Sequence, residues 1–105
     1  MNLDEIELHD ALINKINIDF VTGVVMIDVS YYETSEACIR RPALIKFNGA
    51  KLISNLCDFQ RLQRNAGAGN VNYWVPNNLG GVTYIYLVDG CIGILSESVE
   101  VEVKG

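Results

Sequence analysis

His9 and Asp10 stand side by side near the start of the chain, and His9 is its only histidine. An imidazole beside a carboxylate can move a proton near neutral pH, so most acid–base, triad or zinc designs in this protein would have to run through His9. A triad also needs a nucleophile. No serine, threonine or cysteine adjoins the pair in sequence, so folding would have to bring one. In the competing reading, which we prefer, Asp10 accepts backbone N–H groups at the start of a strand while His9 packs or bonds locally. Glu7 and Asp4 add oxygen donors to the same stretch. Without a second histidine or a loop of defined spacing they make no metal site, and no cofactor is expected.

Two further stretches could hold a ligand. Tyr73-Trp74 lies between the glycine-bearing segment Asn65-Ala66-Gly67-Ala68-Gly69-Asn70 and the loop Asn77-Asn78-Leu79-Gly80-Gly81. Aromatic residues beside such loops can form a small-molecule or partner pocket, and the only tryptophan of a small domain can equally be a core residue. Both readings stay open. The first glycine segment lacks the lysine and hydroxyl of a phosphate-binding loop, and the preferred reading is a helix stop and a return to a sheet. The pairs Tyr31-Tyr32 and Tyr84/Tyr86 raise the same question, with one member of each expected to face the core.

The elements that must position these residues are mostly strands. Leu12, Ile16, Ile18 and Phe20 alternate with polar residues, broken only at Asn14. After Thr22-Gly23, the residues Val25, Ile27, Val29 and Tyr31 share a face of a second run. This is the period of half-buried strands, and the two runs predict a hairpin. A third run puts Ile39, Ala43, Ile45 and Phe47 on one face and Arg40 and Lys46 on the other, with Pro42 suggesting an edge strand or bulge. Asn48-Gly49 turns the chain. Ser54 or Asn55 can cap a helix of two to three turns carrying Leu56, Phe59 and Leu62, with Asp58 early, Arg61 and Arg64 late, and Asn65-Ala66-Gly67 as its stop.

Val71 to Val75 predicts a short strand. Val82 to Val88, apolar on both faces, predicts one in the middle of a sheet. Asp89-Gly90 predicts a two-residue turn with the return strand from Cys91. Val99, Val101 and Val103 alternate with Glu100, Glu102 and Lys104, as in a strand with one face in water. The expected fold is a single domain over residues 1–105, mainly β (α+β): an antiparallel sandwich or open roll of about six or seven strands with one short helix closing an end of the core.

Composition narrows the partners. The chain has 105 residues, enough for one core, and a formal charge of -5. Phosphate binding is built from clustered lysine and arginine, so nucleic acid is an unexpected partner. Met1-Asn2-Leu3-Asp4-Glu5 is acidic where a secretory leader would be basic, and no run reaches transmembrane length; a cytoplasmic protein without membrane contact is expected. Cys38, Cys57 and Cys91 are irregularly spaced and read as buried free thiols. From Ala37 to Ala66 the chain carries net +5, which leaves -10 on the rest. Neighbouring strands can neutralise this sorting, and that reading is preferred. The alternative is an acidic face, with Glu97, Glu100 and Glu102, meeting a basic partner.

The strings Leu8-His9-Asp10-Ala11, Ile16-Asn17-Ile18-Asp19, Ile45-Lys46-Phe47-Asn48-Gly49 and Gly69-Asn70-Val71 follow one another along most of the chain. Their order resembles that of small bacterial Leu-His-Asp-type β proteins of unknown function, some similar to immunity proteins of polymorphic toxin systems, and of small β proteins encoded on mobile gene cassettes. In such proteins the His-Asp pair opens the first strand, and the resemblance implies no catalytic role for His9 or Asp10.

The expected function is a small non-enzymatic binding protein, of immunity type, engaging a basic partner through an acidic face. The alternatives are a small-ligand module using Tyr73 and Trp74, and a hydrolase or isomerase built on His9 and Asp10. A homodimer is expected through strand edges near Val103 or Pro42.

Overall fold

Alternation along the chain sorts its residues onto two sheets that share one core. The computed structural model describes residue 3 and residues 6–34, 36–64 and 70–104. Along it run β1 (Leu12–Asp19), β2 (Val24–Tyr31), β3 (Arg41–Asn48), β4 (Leu52–Cys57), α1 (Phe59–Arg64), β5 (Val71–Val75), β6 (Val82–Leu87), β7 (Gly90–Leu95) and β8 (Ser98–Val103). All pairings are antiparallel, in sheet A of order β1-β2-β3-β8 and sheet B of order β4-β7-β6-β5. The fold is therefore mainly β, as expected, with eight strands where six or seven were predicted.

The inward faces meet in a single cluster. Val25, Ile27, Val29 and Tyr31 of β2 and Ala43, Ile45 and Phe47 of β3 pack with Ile85 and Leu87 of β6 and Ile92 and Ile94 of β7. Ile27 lies opposite Ile45 in the ladder and neither is exposed, so each contributes about 1.5–3 kcal/mol of transfer free energy.

One ribbon joins the two layers. β3 pairs with β8 in sheet A, and their continuations β4 and β7 pair in sheet B. Across the corner the ladder is kept by Glu97 N–H donating to the Asn48 carbonyl at 3.0 Å and Lys51 N–H donating to Leu95 at 2.8 Å. The bend needs a residue at positive φ, and Gly49 takes it at 59°.

Several expectations are corrected. Phe20 is 92% exposed, because β1 ends at Asp19 and the chain turns through Phe20 and Val21 to Gly23. The break at Asn14 is a β-bulge, where the register with β2 shifts between Ile13 and Lys15. Ile39 lies outside β3 and is exposed. Pro42 is not in an edge strand, since β3 sits between β2 and β8. Its carbonyl accepts from Lys104 N–H at 2.9 Å, so its ring nitrogen faces the same side, beyond the last residue of β8, where the missing N–H breaks no strand ladder.

The helix is one element shorter than its pattern. Leu52 to Cys57 pairs with β7 as a strand, and the cap is Asp58, whose Oδ1 accepts from Arg61 N–H at 3.1 Å. Cross-strand bonds override the threefold spacing of Leu56 and Phe59, which are 77% and 74% exposed, so neither of these two closes the core from a helix face. The predicted stop at 65–67, like most of the first glycine segment, lies outside the described residues.

The β6–β7 turn falls on Val88 and Asp89, one residue before the predicted pair, because Leu87 pairs with Gly90. Gly90 instead opens β7 at φ 149°, where a methyl group would overlap the Leu56 carbonyl. The cysteines are free but not buried: Cys38 is exposed, and Cys57 and Cys91 are half-buried.

Candidate functional site

The segment before β1 docks on the edge of sheet B. Leu8 and Ala11 are buried, Asp10 takes a positive φ of 62°, and His9 and Asp10 project outward between them. Asp10 N–H donates to Val71 at 2.9 Å, and the Ala11 carbonyl accepts from the N–H groups of Asn70 and Val71. Aspartate tolerates the left-handed region better than most residues, which suits it to this turn.

His9 Nδ1 lies 2.8 Å from the Asn72 carbonyl, an acceptor only, so Nδ1 carries the proton of that bond. Nε2 lies 3.4 Å from Asp10 Oδ2, with both side chains more than half exposed. The imidazole thus bonds a residue distant in sequence, and its carboxylate neighbour receives no backbone N–H among the described bonds. A shallow depression of about 520 Å³ lies beside it, bordered by Ile6, Glu7, His9, Asn72, Trp74 and Pro76. No serine, threonine or cysteine lines it among the described residues. Among the described residues the pair therefore lacks the serine, threonine or cysteine that a triad would need. Nor, among the described residues, do three His, Cys, Asp or Glu side chains group closely enough to hold a metal ion.

Tyr73 and Trp74 point to opposite faces of β5. Trp74 is buried, and its Nε1–H donates to the Ile6 carbonyl at 2.9 Å. Tyr73 stands on the outer face of sheet B and stacks on Tyr86, ring centroids 4.6 Å apart; Tyr86 in turn stacks on Tyr84 at 5.9 Å.

Cross-strand register completes that outer face. Leu56, Cys91, Tyr86 and Tyr73 form one row, Ser54, Gly93, Tyr84 and Val75 the next, and Leu52, Leu95 and Val82 the third. None of these residues is charged. Leu52, Leu56, Tyr73, Val75 and Tyr84 are all exposed, as is Val88 at the rim. Monomeric surfaces rarely carry a contiguous apolar patch of this extent without a use for it. Tyr84 leans over Gly93, where an added methyl would touch its ring at 3.4 Å, so the glycine leaves room for the aromatic row. Desolvation raises the Tyr86 phenol above its ordinary value, with Tyr73, Cys91 and Tyr84 adding repulsion between ionised forms.

The chain matches no family model, no curated protein and no solved structure.

The outer face of sheet A has the opposite character. Asp28 pairs with Lys15 and Lys104 at 3.7 Å each, and Glu100 lies across from Lys46 and accepts from Asn48 Nδ2 at 3.0 Å. Glu102 lies across from Leu44 on the same face, while Glu97 stands at the ribbon corner beside Gly49.

A second cavity of about 500 Å³ opens between β1 and β4 beside α1, bordered by Ile16, Ile18, Asn55, Cys57, Phe59 and Ile92. Burial pushes the Cys57 thiol up, and the nearby Cys91 adds to the effect.

Sequence reasoning missed Leu52, Leu56, Tyr84 and Tyr86 as surface residues, and both tyrosines of the last pair face outward. The signal was present: Tyr84 and Tyr86 are two apart in a strand and must share a face, opposite Thr83, Ile85 and Leu87.

Proposed function

We propose that this chain is a non-enzymatic binding domain that works by presenting the outer face of sheet B to a protein partner. The observation carrying this reading is the uncharged outer face itself, with its three stacked tyrosines, on a sandwich whose other broad face is salt-bridged and polar. Tyrosine gives a partner large contact area at small conformational cost, and removing the tyrosines and leucines from water supplies the driving force. The His9–Asp10 pair serves as a docking turn for the segment before β1. The charged face of sheet A is a weaker candidate for a basic partner, because its lysines lie opposite or beside its carboxylates.

A benzophenone side chain placed at Tyr84, and separately at Lys46 on sheet A, tests the reading in cells that produce the chain. Irradiation is expected to yield covalent adducts from position 84 and none from position 46. Adducts from position 46 alone, or from neither, would overturn it.

A further inference from the structure

We infer that the cavity between β1 and β4 binds a small, neutral, apolar molecule with a carbonyl group, such as an aliphatic ketone or ester. The site is separate from the docking face, since it opens on the core side of β4 and the tyrosine row lies on the other side. Three relationships carry the inference.

The first is an unclosed side of the sandwich. Ile13, Ile16 and Ile18 of β1 lie across from Val29, Ile27 and Val25 and so face inward, yet they are only half-buried while their partners are buried. On β4, Ile53 and Asn55 lie across from the buried Ile94 and Ile92, and Asn55 is nevertheless exposed. β1 and β4 are edge strands of their own sheets and do not pair with each other. The gap between them holds about 500 Å³ and is bordered by Leu87 and Ile92 of the core. That volume lies within the range of small-molecule pockets. Phe59 borders the same gap with its ring largely exposed, so a molecule seated there would cover it.

The second is a spare donor at depth. Asn70 borders the cavity and is only 8% exposed. Its Oδ1 accepts from Ile13 N–H at 2.9 Å, which fixes the amide's orientation and leaves Nδ2 as a donor. Among the described residues Nδ2 has no partner, and no side-chain nitrogen or oxygen sealed from solvent lacks one, so Nδ2 is not closed off in the core. A carbonyl oxygen in the cavity can accept its proton and orient the molecule.

The third is charge. Among the described residues that border the cavity Lys15 alone is charged, and its ammonium lies 3.7 Å from Asp28 on the outer face of sheet A. A carboxylate entering the cavity would give up water without gaining a free cation, and a cation would find no carboxylate at the border. Burying a neutral carbonyl against an amide donor costs far less.

Displacement of the neutral dye phenylnaphthylamine, whose emission rises when it leaves water, tests the inference on the full chain. The competitors are methyl heptyl ketone and nonanoate, which match in carbon number and differ in charge. Ser54→Phe and Asn55→Phe are neighbouring exposed sites on β4, the first on the outer face and the second on the cavity side. The dye should bind the parent and Ser54→Phe alike, and Asn55→Phe about tenfold or more weakly, with unchanged circular dichroism. The ketone should displace it at concentrations about tenfold or more below those that nonanoate needs. Asn70→Asp keeps the oxygen that Ile13 uses and loses the donor, so ketone binding should weaken by about tenfold. Saturating ketone should also slow alkylation of Cys57, which borders the cavity, and leave that of the exposed Cys38 unchanged.

Absence of dye and ketone binding, indifference to Asn55→Phe, or displacement by nonanoate as readily as by the ketone would each overturn the inference. Undiminished ketone binding by a folded Asn70→Asp would do the same. Adducts at position 84 are read separately, so this site and the docking face stand or fall independently.

Discussion

The indole N–H of Trp74 reaches across 68 positions to the carbonyl of Ile6, at 2.9 Å, and binds the edge of sheet B to the segment that precedes β1. Both residues are buried, so losing the indole takes from the carbonyl the partner that this position provides. Trp74→Phe keeps an aromatic ring and removes the donor. It is expected to cost about 1–3 kcal/mol, read from urea unfolding followed by circular dichroism because the variant has no tryptophan. Unchanged stability would show that this bond does not hold the segment down.

Gly90 and Gly80 separate crowding from backbone strain. Both have positive φ, but a methyl group at Gly90 meets the Leu56 carbonyl, whereas nothing lies within 4 Å of one at Gly80. Gly90→Ala should destabilise by about 2–3 kcal/mol, since β4 must shift. Gly80→Ala should cost about 1 kcal/mol, for the left-handed backbone alone. Equal losses would refute the close approach of β4 to β7.

Asp19 stabilises the first hairpin through its ionised form. Its carboxylate accepts the N–H groups of Thr22 and Val21, which hold its pKa below the ordinary 3.8. A carboxyl depressed on folding contributes its stability above the unfolded value and loses it as pH falls through the folded one. Asp19→Ala should therefore melt at a lower temperature than the parent near neutrality, and the gap should close in acid. A gap that persists after acidification would mean that the charge is not what matters.

At the alkaline end the sign reverses. The Cys57 thiol and Tyr86 phenol have pKa values raised above 9.0 and 10.0, chiefly by burial, so the folded chain prefers both groups neutral. The unfolded chain releases these protons first, and stability is expected to fall as pH rises through those unfolded values. Urea unfolding of the parent, Cys57→Ala and Tyr86→Phe as a function of pH measures the slope. Each substitution should flatten it.

Thiol alkylation at neutral pH should label Cys38 first and Cys57 last. Cys38 is exposed, whereas Cys57 is half-buried and disfavours the reactive thiolate. Mass mapping of the singly labelled chain checks the order, and early modification of Cys57 would contradict its surroundings.

Much of the strand content was legible from local pattern. Val25, Ile27, Val29 and Tyr31 alternate without interruption, and all four are buried. Val99, Val101 and Val103 turn inward while Glu100 and Glu102 face water. Where two periods competed, as from Leu52 to Leu62, local spacing favoured a helix, and β4 replaced its first part because β7 offered a full ladder of partners. Pro42 misled for a related reason: whether a missing N–H costs a bond depends on where the neighbouring strand ends.

Residue types and their period of two determined by themselves that this chain forms antiparallel strands with one buried face, because side-chain direction in a strand is a local property. Which strands become neighbours, and which of two apolar faces is left in water, only the tertiary structure decided. Val82, Tyr84 and Tyr86 read as buried as readily as Thr83, Ile85 and Leu87, and only the second set meets sheet A. A two-layer sandwich has one interior, so a sheet that is apolar on both sides leaves one of them exposed.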